Sequence, residues 1–204
     1  DQGPDQGPDQ GPDQGPDQAS AYKQCAMADP RDRYFYGNKD PESNFYAVPG
    51  GVVHRGLRLP TSEHHFMHQK ALIMGDLESA AKIAAVATPA QAKKLGGKVS
   101  PFHEALWDEI RENVMLQILV DKFHDPALSE YLLGIEGSIF EASSDDIIWG
   151  IGVDKKRALS GAEHHGRNLL GKCLMRVRAL KRERSGRGAL QKRAAKVAEG
   201  SGAV

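Results

Sequence analysis

Nine residues, SEHHFMHQK at 62–70, crowd three histidines, a glutamate and a lysine into one stretch. On a helix beginning near residue 62, Glu63, Phe66, Met67, Lys70 and Met74 share a face. Glu63 and Lys70 are almost two turns apart, so their Cα atoms stand about 10.5 Å apart along the axis. Both side chains are long enough to converge on one ligand held between them. Lys70 lies on the apolar side, where desolvation lowers the pKa of an amine. A neutral amine is a nucleophile towards an aldehyde or an oxocarbenium-like carbon. A lysine that only snorkels from the edge of the core fits the same pattern. His64 and His68 have the i, i+4 spacing of helical zinc ligands. However, His65 occupies the position that carries glutamate in HExxH, and no downstream residue has ligand spacing. A second EHH at 163–165 falls outside any helical pattern. A zinc hydrolase using His64 and His68 and a set of packing or hydrogen-bonding histidines both remain open.

The elements that must position these groups are legible as capped segments. Thr61 or Ser62 after Pro60 starts the helix carrying Glu63 and Lys70. Asp76 caps LESAAKIAAVA, and TPAQAKKLGG shows a cap, a first-turn proline and a glycine exit. Ser100-Pro101 reads as the opening of a long helix with apolar Leu106, Ile110, Val114, Ile118 and Leu119 at helical spacing. DPALSEYLLG is a short capped helix, and GRNLLGKCLMRVRALKRER closes the series. YFYG and NFYAV read as strands or tight loops, SIFEAS as a strand and DDIIWGIGVD as a strand–loop. The order predicts an α+β fold, mostly helical, in one domain over 29–184.

The ends differ from that domain. Residues 1–28 begin with four DQGP repeats. Five Asp and no Lys or Arg in 1–18 give a charge of −5, and with nothing apolar to bury, disorder is expected. Residues 172–204 hold ten Lys or Arg against Glu183 and Glu199, a charge of +8, and 185–204 reads as a basic flexible tail. Such a tail is either solvated or seeks phosphate. Cys25 and Cys173 form no disulfide framework and no CxxC, which implies a reducing, intracellular compartment, cytoplasmic or nuclear. No apolar run reaches the ~18 residues of a membrane span.

The ordered set SNFY (43–46), SEHHFMHQK (62–70), TPAQAKKLG (88–96), LWDEIRENVM (106–115), KF (122–123), FEAS..D..WGIG (140–152) and GRNLLGKCLM (166–175) resembles the NADAR family over about residues 34–180. His165 stands where the family usually has tryptophan, and GIEGS (134–138) replaces a threonine-containing turn. The resemblance implies cleavage of an N-glycosidic bond between a ribose and an amine, with no cofactor. One branch hydrolyses phosphoribosylamino-pyrimidine intermediates of the riboflavin pathway. Another removes ADP-ribose from guanine in DNA, and the basic tail favours that substrate.

By resemblance, Lys70 is the covalent or electrostatic centre, Glu63 its acid/base partner and Asp146 a water-activating base. Glu141 accepts from a ribose hydroxyl, Asn44 and Phe45 meet the ribose edge and a ring, and Trp149 is a ligand wall, with Trp107 a second candidate. Asn168, at the start of the last helix, offers free N–H groups to a phosphate or serves as a cap. Arg33 and Arg111 are the candidate diphosphate contacts. A non-catalytic ADP-ribose-binding module would keep the aromatic walls and Asn168 but not need Lys70 or Glu63.

Overall fold

The computed structural model describes residues 29–200, so the DQGP repeat lies outside the described residues. Helices dominate and the strands are short, as an α+β, mostly helical chain requires. In chain order the elements are β1 (Arg33–Phe35), β2 (Val52–His54), β3 (Leu57–Leu59), α1 (Ser62–Ile73), α2 (Leu77–Ala85) and α3 (Pro89–Gly96). Then come α4 (Glu104–Lys122), α5 (Pro126–Gly134), β4 (Ile139–Glu141), α6 (Lys155–Leu159) and α7 (Leu169–Gly200).

Local chemistry sets the helix starts. The Thr61, Asp76, Thr88 and Asp125 side chains accept backbone N–H groups at the N-termini of α1, α2, α3 and α5. Thr88 and Gln91 complete a capping box, and Pro89 and Pro126 occupy first-turn positions where a missing N–H costs nothing. The opening of α4 departs from expectation. It begins at Glu104 with His103 as its N-cap residue, not at Ser100-Pro101. Ser100 N donates to Asp76 Oδ2 and His103 N contacts Met74 Sδ, so this segment is tied to the ends of α1 and α2 before the helix begins.

Two further departures concern strands. GVVHRGLRL forms the antiparallel β2–β3 hairpin, with Arg55 and Gly56 both at positive φ in a two-residue turn. DDIIWGIGVD carries no strand and is a loop. Residues 185–200, expected to be a flexible tail, continue α7. Their Ala, Lys, Arg and Gln residues are strong helix formers, and propagation from a packed helix is cheap once nucleated.

β1 pairs in parallel with β4, Phe35 opposite Glu141, across a crossover that contains α1 to α5. α7 packs on α4, α5 and β4, and α1 packs on α2, α3 and α4. The core between these layers buries Phe35, Phe66, Trp107, Met115, Ile118, Leu119, Phe123, Ile139 and Leu174. Leu106, one of the apolar residues read into the α4 stripe, faces solvent instead. No helix among the described residues is long and apolar enough to cross a membrane.

Candidate active site

α1 delivers Glu63 to the centre of the molecule, where the side chain is only 5% exposed. Its backbone N–H donates to Asn44 O at 3.0 Å, which joins the first turn of α1 to the SNF segment. β4 ends on Glu141, whose N–H donates to Asn168 Oδ1 at 3.2 Å. The loop after β4 supplies Asp146, whose Oδ1 accepts from the N–H groups of Ile148 (2.9 Å) and Trp149 (2.7 Å). α3 crosses α1 so closely that a Cβ on Gly96 would overlap the Met67 thioether. That approach brings Lys93, one turn earlier on α3, over the same space.

Together these parts enclose a chamber of about 120 Å³, lined by Ser43, Asn44, Phe45, Glu63, Phe66, Met67, Lys93, Met115, Glu141, Asp146 and Trp149. A second hollow of about 280 Å³ shares Ser43, Phe45, Lys93, Glu141 and Asp146 with it and opens past Tyr36, Gly37, Ser143 and Asp145. Trp149 meets Phe66 edge-on, ring centroids 5.1 Å apart, and walls the inner chamber. Three buried polar atoms on its lining have no protein partner: Glu63 Oε1, Glu141 Oε2 and Asn44 Oδ1. Buried polar atoms are seldom left so, because each forfeits its hydration without return. Three on one lining describe a site that expects a polar ligand.

Burial pushes the Glu63 carboxyl up to about 7; the nearby Lys93 opposes this rise and Asp146 adds to it. Glu141 is also raised to about 7, first by desolvation and then by Asp146, with Lys93 again opposing and Glu63 adding. With both raised to about 7, Glu63 and Glu141 can each serve as acid or carboxylate near neutrality. That arrangement can donate a proton on one side of a scissile bond and accept one on the other.

Of the residues singled out by sequence, the fold brings together Glu63, Glu141, Asp146, Asn44, Phe45 and Trp149. Lys70 is not in the lining. Its Nζ donates to Gly96 O at 2.9 Å and lies 4.3 Å from the Phe102 ring centroid. Two turns along α1 from Glu63, it meets the last turn of α3, whose free carbonyl is the nearest acceptor. Desolvation does lower the pKa of this amine, as the apolar face implied. Trp107 also falls outside the lining and packs against Phe66 in the core at 5.1 Å.

Neither arginine lines either hollow, although the buried Arg111 Nε has no protein partner. Arg33 is taken by Glu42 (2.6 Å) and Asp40 (2.7 Å), and Arg111 is buried with its Nη1 on Asp108 at 2.8 Å. Asn168 occupies the N-cap position of α7, its carbonyl oxygen accepting from Lys172 N at 3.0 Å, but its side chain caps no N–H of the helix. Its side chain clamps β4, with Nδ2 donating to Ile139 O and Oδ1 accepting from Glu141 N. The N–H groups of Asn168, Leu169 and Leu170 are spent on Gly150 O, Ile148 O and Trp149 O. The loop bearing Asp146 and Trp149 thus occupies the anion position at the α7 N-terminus.

His64 and His65 are tied into the fold, while the buried Nδ1 of His68 has no protein partner. The Val86 carbonyl can only accept, so His64 Nε2–H donates to it and Nδ1 accepts from the Thr61 hydroxyl. His65 Nε2–H donates to Val52 O, and burial depresses its pKa to about 4. Among the described residues no three His, Cys, Asp or Glu side chains group as a ligand set for a metal.

The site residue that sequence reasoning missed is Lys93. Its signal lay in AKKLG, where Ala92 and Gly96 are the close-packing face and Lys93 borders it.

Residues 34–181 match the NADAR domain family. The N-glycosidase R617 of Acanthamoeba polyphaga mimivirus is 35% identical over 122 residues, which are 58% of this chain and 72% of that protein. The riboflavin biosynthesis protein VVA0006 of Vibrio vulnificus is 31% identical over 150 residues, 71% of this chain but 37% of the relative. The NMR structure of the E. coli protein YbiA superposes with a TM-score of 0.62 at 29% identity, covering 76% of this chain and 86% of YbiA. E. coli YbiA, described as an N-glycosidase, is 32% identical in sequence over 149 residues, 71% of this chain and 84% of its own.

Proposed function

The chain belongs to the NADAR domain family and resembles N-glycosidases over most of its folded part, and from that premise we propose that its carboxylate chamber hydrolyses the bond between a ribose C1 and an amine nitrogen. The observation that carries the proposal is the convergence of Glu63 Oε1, Glu141 Oε2 and Asn44 Oδ1, buried and unpartnered, on one chamber. The inner chamber, about 120 Å³ and walled by Trp149, receives the ribose. The outer hollow takes the remainder of the substrate.

Breaking the C1–N bond sends its electron pair to nitrogen and leaves positive charge on the ribose. Glu63, neutral up to about pH 7, delivers its proton to the departing nitrogen. Asp146, fixed by the Ile148 and Trp149 N–H groups, takes a proton from the water that adds to C1. Glu141 accepts from a ribose hydroxyl and Asn44 holds the ring edge. Atoms balance: the water's hydroxyl goes to C1 and its proton to Asp146, which then releases that proton to solvent while Glu63 takes one back. Lys93 is the basic side chain among those lining both hollows, and it faces an anionic part of the substrate. Lys70, bonded to Gly96 O, supports the placement of α3 and Lys93 and takes no covalent role in this route.

The substrate we favour is ADP-ribosylated guanine in DNA, with the amine of the base as leaving group and the basic arm as the nucleic-acid contact. Arg184 and Arg187 are exposed on the α7 extension. Arg187 lies about 27 Å along the helix from Leu169, at 1.5 Å per residue. A contact that far along α7 needs a substrate longer than a single modified nucleotide. One observation favours a second substrate, a phosphoribosylamino-pyrimidine: neither Arg33 nor Arg111 lines the hollows, which leaves Lys93 as the cation there for a phosphate. The test sets a modified oligonucleotide, the free ADP-ribosyl nucleoside and the phosphoribosylamino-pyrimidine side by side. Release of free guanine from the oligonucleotide is the expected result. Release from the pyrimidine alone assigns the second substrate, and no release from any of them overturns the proposal. Sodium borohydride during turnover is expected to leave no sugar on lysine; an adduct at Lys70 or Lys93 would replace water attack by amine attack.

A further inference from the structure

Behind the chamber wall lies a second set of buried charges to which the reaction above gives no role. Lys122, in the last turn of α4, is 1% exposed, and Glu42, just before the SNF segment, is 0% exposed. Lys122 Nζ donates to Ser43 O at 2.6 Å and sits 5.7 Å from the Tyr46 ring centroid and 5.4 Å from that of Phe123. Glu42 Oε1 accepts from Arg33 Nε (2.6 Å) and from the Tyr131 hydroxyl (2.9 Å). Arg33 also reaches Asp40. β1, α4 and α5 therefore all grip the seven residues from Asp40 to Tyr46.

Burying an ammonium is expensive, and an apolar residue of similar volume often serves stability as well or better. Desolvation shows here, pushing the Lys122 amine down to about 7, with the Glu42 charge opposing the fall. What the amine secures is one carbonyl. Ser43 O also accepts from Tyr46 N, Ser43 Oγ accepts from Phe45 N, and the next carbonyl, Asn44 O, accepts from Glu63 N. Ser43, Asn44, Phe45 and Glu63 all line the chamber. A shift of Ser43 O thus passes directly to the unpartnered Asn44 Oδ1 and to the backbone of the acid.

We propose that Lys122 is a positioning residue of the active site, holding the Ser43 carbonyl from beneath so that Asn44 and Phe45 present the ribose-binding edge of the chamber. The inference rests on the N-glycosidase reading and adds a residue that touches no substrate.

A double-mutant cycle in the full chain tests it, using whichever of the three substrates the wild type cleaves. Lys122→Met conserves volume and removes the donor. Both Lys122→Met and Asn44→Ala are expected to raise KM about tenfold or more, and the double variant to be no worse than Asn44→Ala alone, because residues acting through one another are not additive. Lys122→Gln, which keeps a polar head but is too short to reach Ser43 O, should behave like Lys122→Met. Tyr131→Phe, which leaves Glu42 one partner fewer, should raise KM in the same non-additive way on a smaller scale, and it carries the test should neither Lys122 variant fold. A KM unchanged from wild type, or effects that multiply independently of Asn44→Ala, would overturn the inference. Wild-type turnover is the control. Its absence sinks the N-glycosidase reading, whereas turnover with an additive cycle sinks this inference alone.

Discussion

Replacing Glu63 with glutamine should stabilise the protein while disabling it, and the stabilisation should depend on pH. The carboxyl is raised from 4.5 to about 7 because burial penalises its charged form. The unfolded chain releases this proton near pH 4.5, whereas the fold keeps it until about 7. Between those values the unfolded state binds fewer protons, so stability falls as pH rises, and the whole penalty is present above 7. At 1.36 kcal/mol per pH unit, the wild type loses about 2 to 3 kcal/mol between pH 5 and pH 8 through this one group. Glu63→Gln does not titrate. Any cost of burying the amide is the same at both pH values and cancels in the difference. At about 2–4 °C per kcal/mol for a chain of this size, the gap in Tm between variant and wild type should be about 5–10 °C larger at pH 8 than at pH 5. Thermal melts followed by circular dichroism at the two pH values measure this. A gap independent of pH would refute the argument that the fold keeps Glu63 as a buried neutral acid, and so would one that shrinks at pH 8.

Three further outcomes follow from the same geometry. The rate should fall as pH rises through about 7, where Glu63 loses the proton it must deliver, and Glu63→Gln should lose about 10²–10⁴-fold in kcat and flatten that limb, read from pH–rate profiles. Gly171→Ala should cripple activity although residue 171 is outside the chamber. A Cβ there would overlap Ile139 O and crowd the Asn168 amide at 2.6 Å, prising Glu141 from its clamp; Asn168→Asp, which loses the donor to Ile139 O, should lower kcat in the same direction. Deleting residues 185–204 should weaken binding of a modified duplex at low salt, leaving a modified dinucleotide unaffected, as judged by fluorescence anisotropy.

The helices that carry the site were readable because their signals are local. Thr61, Asp76, Thr88 and Asp125 announce helix starts by side-chain chemistry that acts within three residues. The acids were readable as well, since Glu63, Glu141 and Asp146 fall in ordered motifs, and the chamber unites them. The basic partners were not. Arg33 and Lys70 found acceptors that no spacing reveals, the Glu42–Asp40 pair and the end of α3, whereas Arg111 took its i, i+3 helix neighbour Asp108. Long flexible cations take whatever acceptor tertiary packing sets near them, and that packing depends on contacts such as Gly96 against Met67. Helical periodicity did align Glu63 with Lys70, but an axial separation of about 10.5 Å was enough to give them different neighbours. The free N–H groups of the last helix were foreseen as an anion site. The protein fills that position with the carbonyls of its own Trp149 loop.

The central claim is that the Glu63–Glu141–Asp146 chamber adds water across a ribose–nitrogen bond. Mass spectrometry of the sugar product after turnover in ¹⁸O-labelled water tests it most directly. Wild type should yield free amine and a ribose carrying one ¹⁸O at C1, and Glu63→Gln should leave the N-glycoside intact over the same period. An intact bond with the wild type, or undiminished product from Glu63→Gln, would contradict the account.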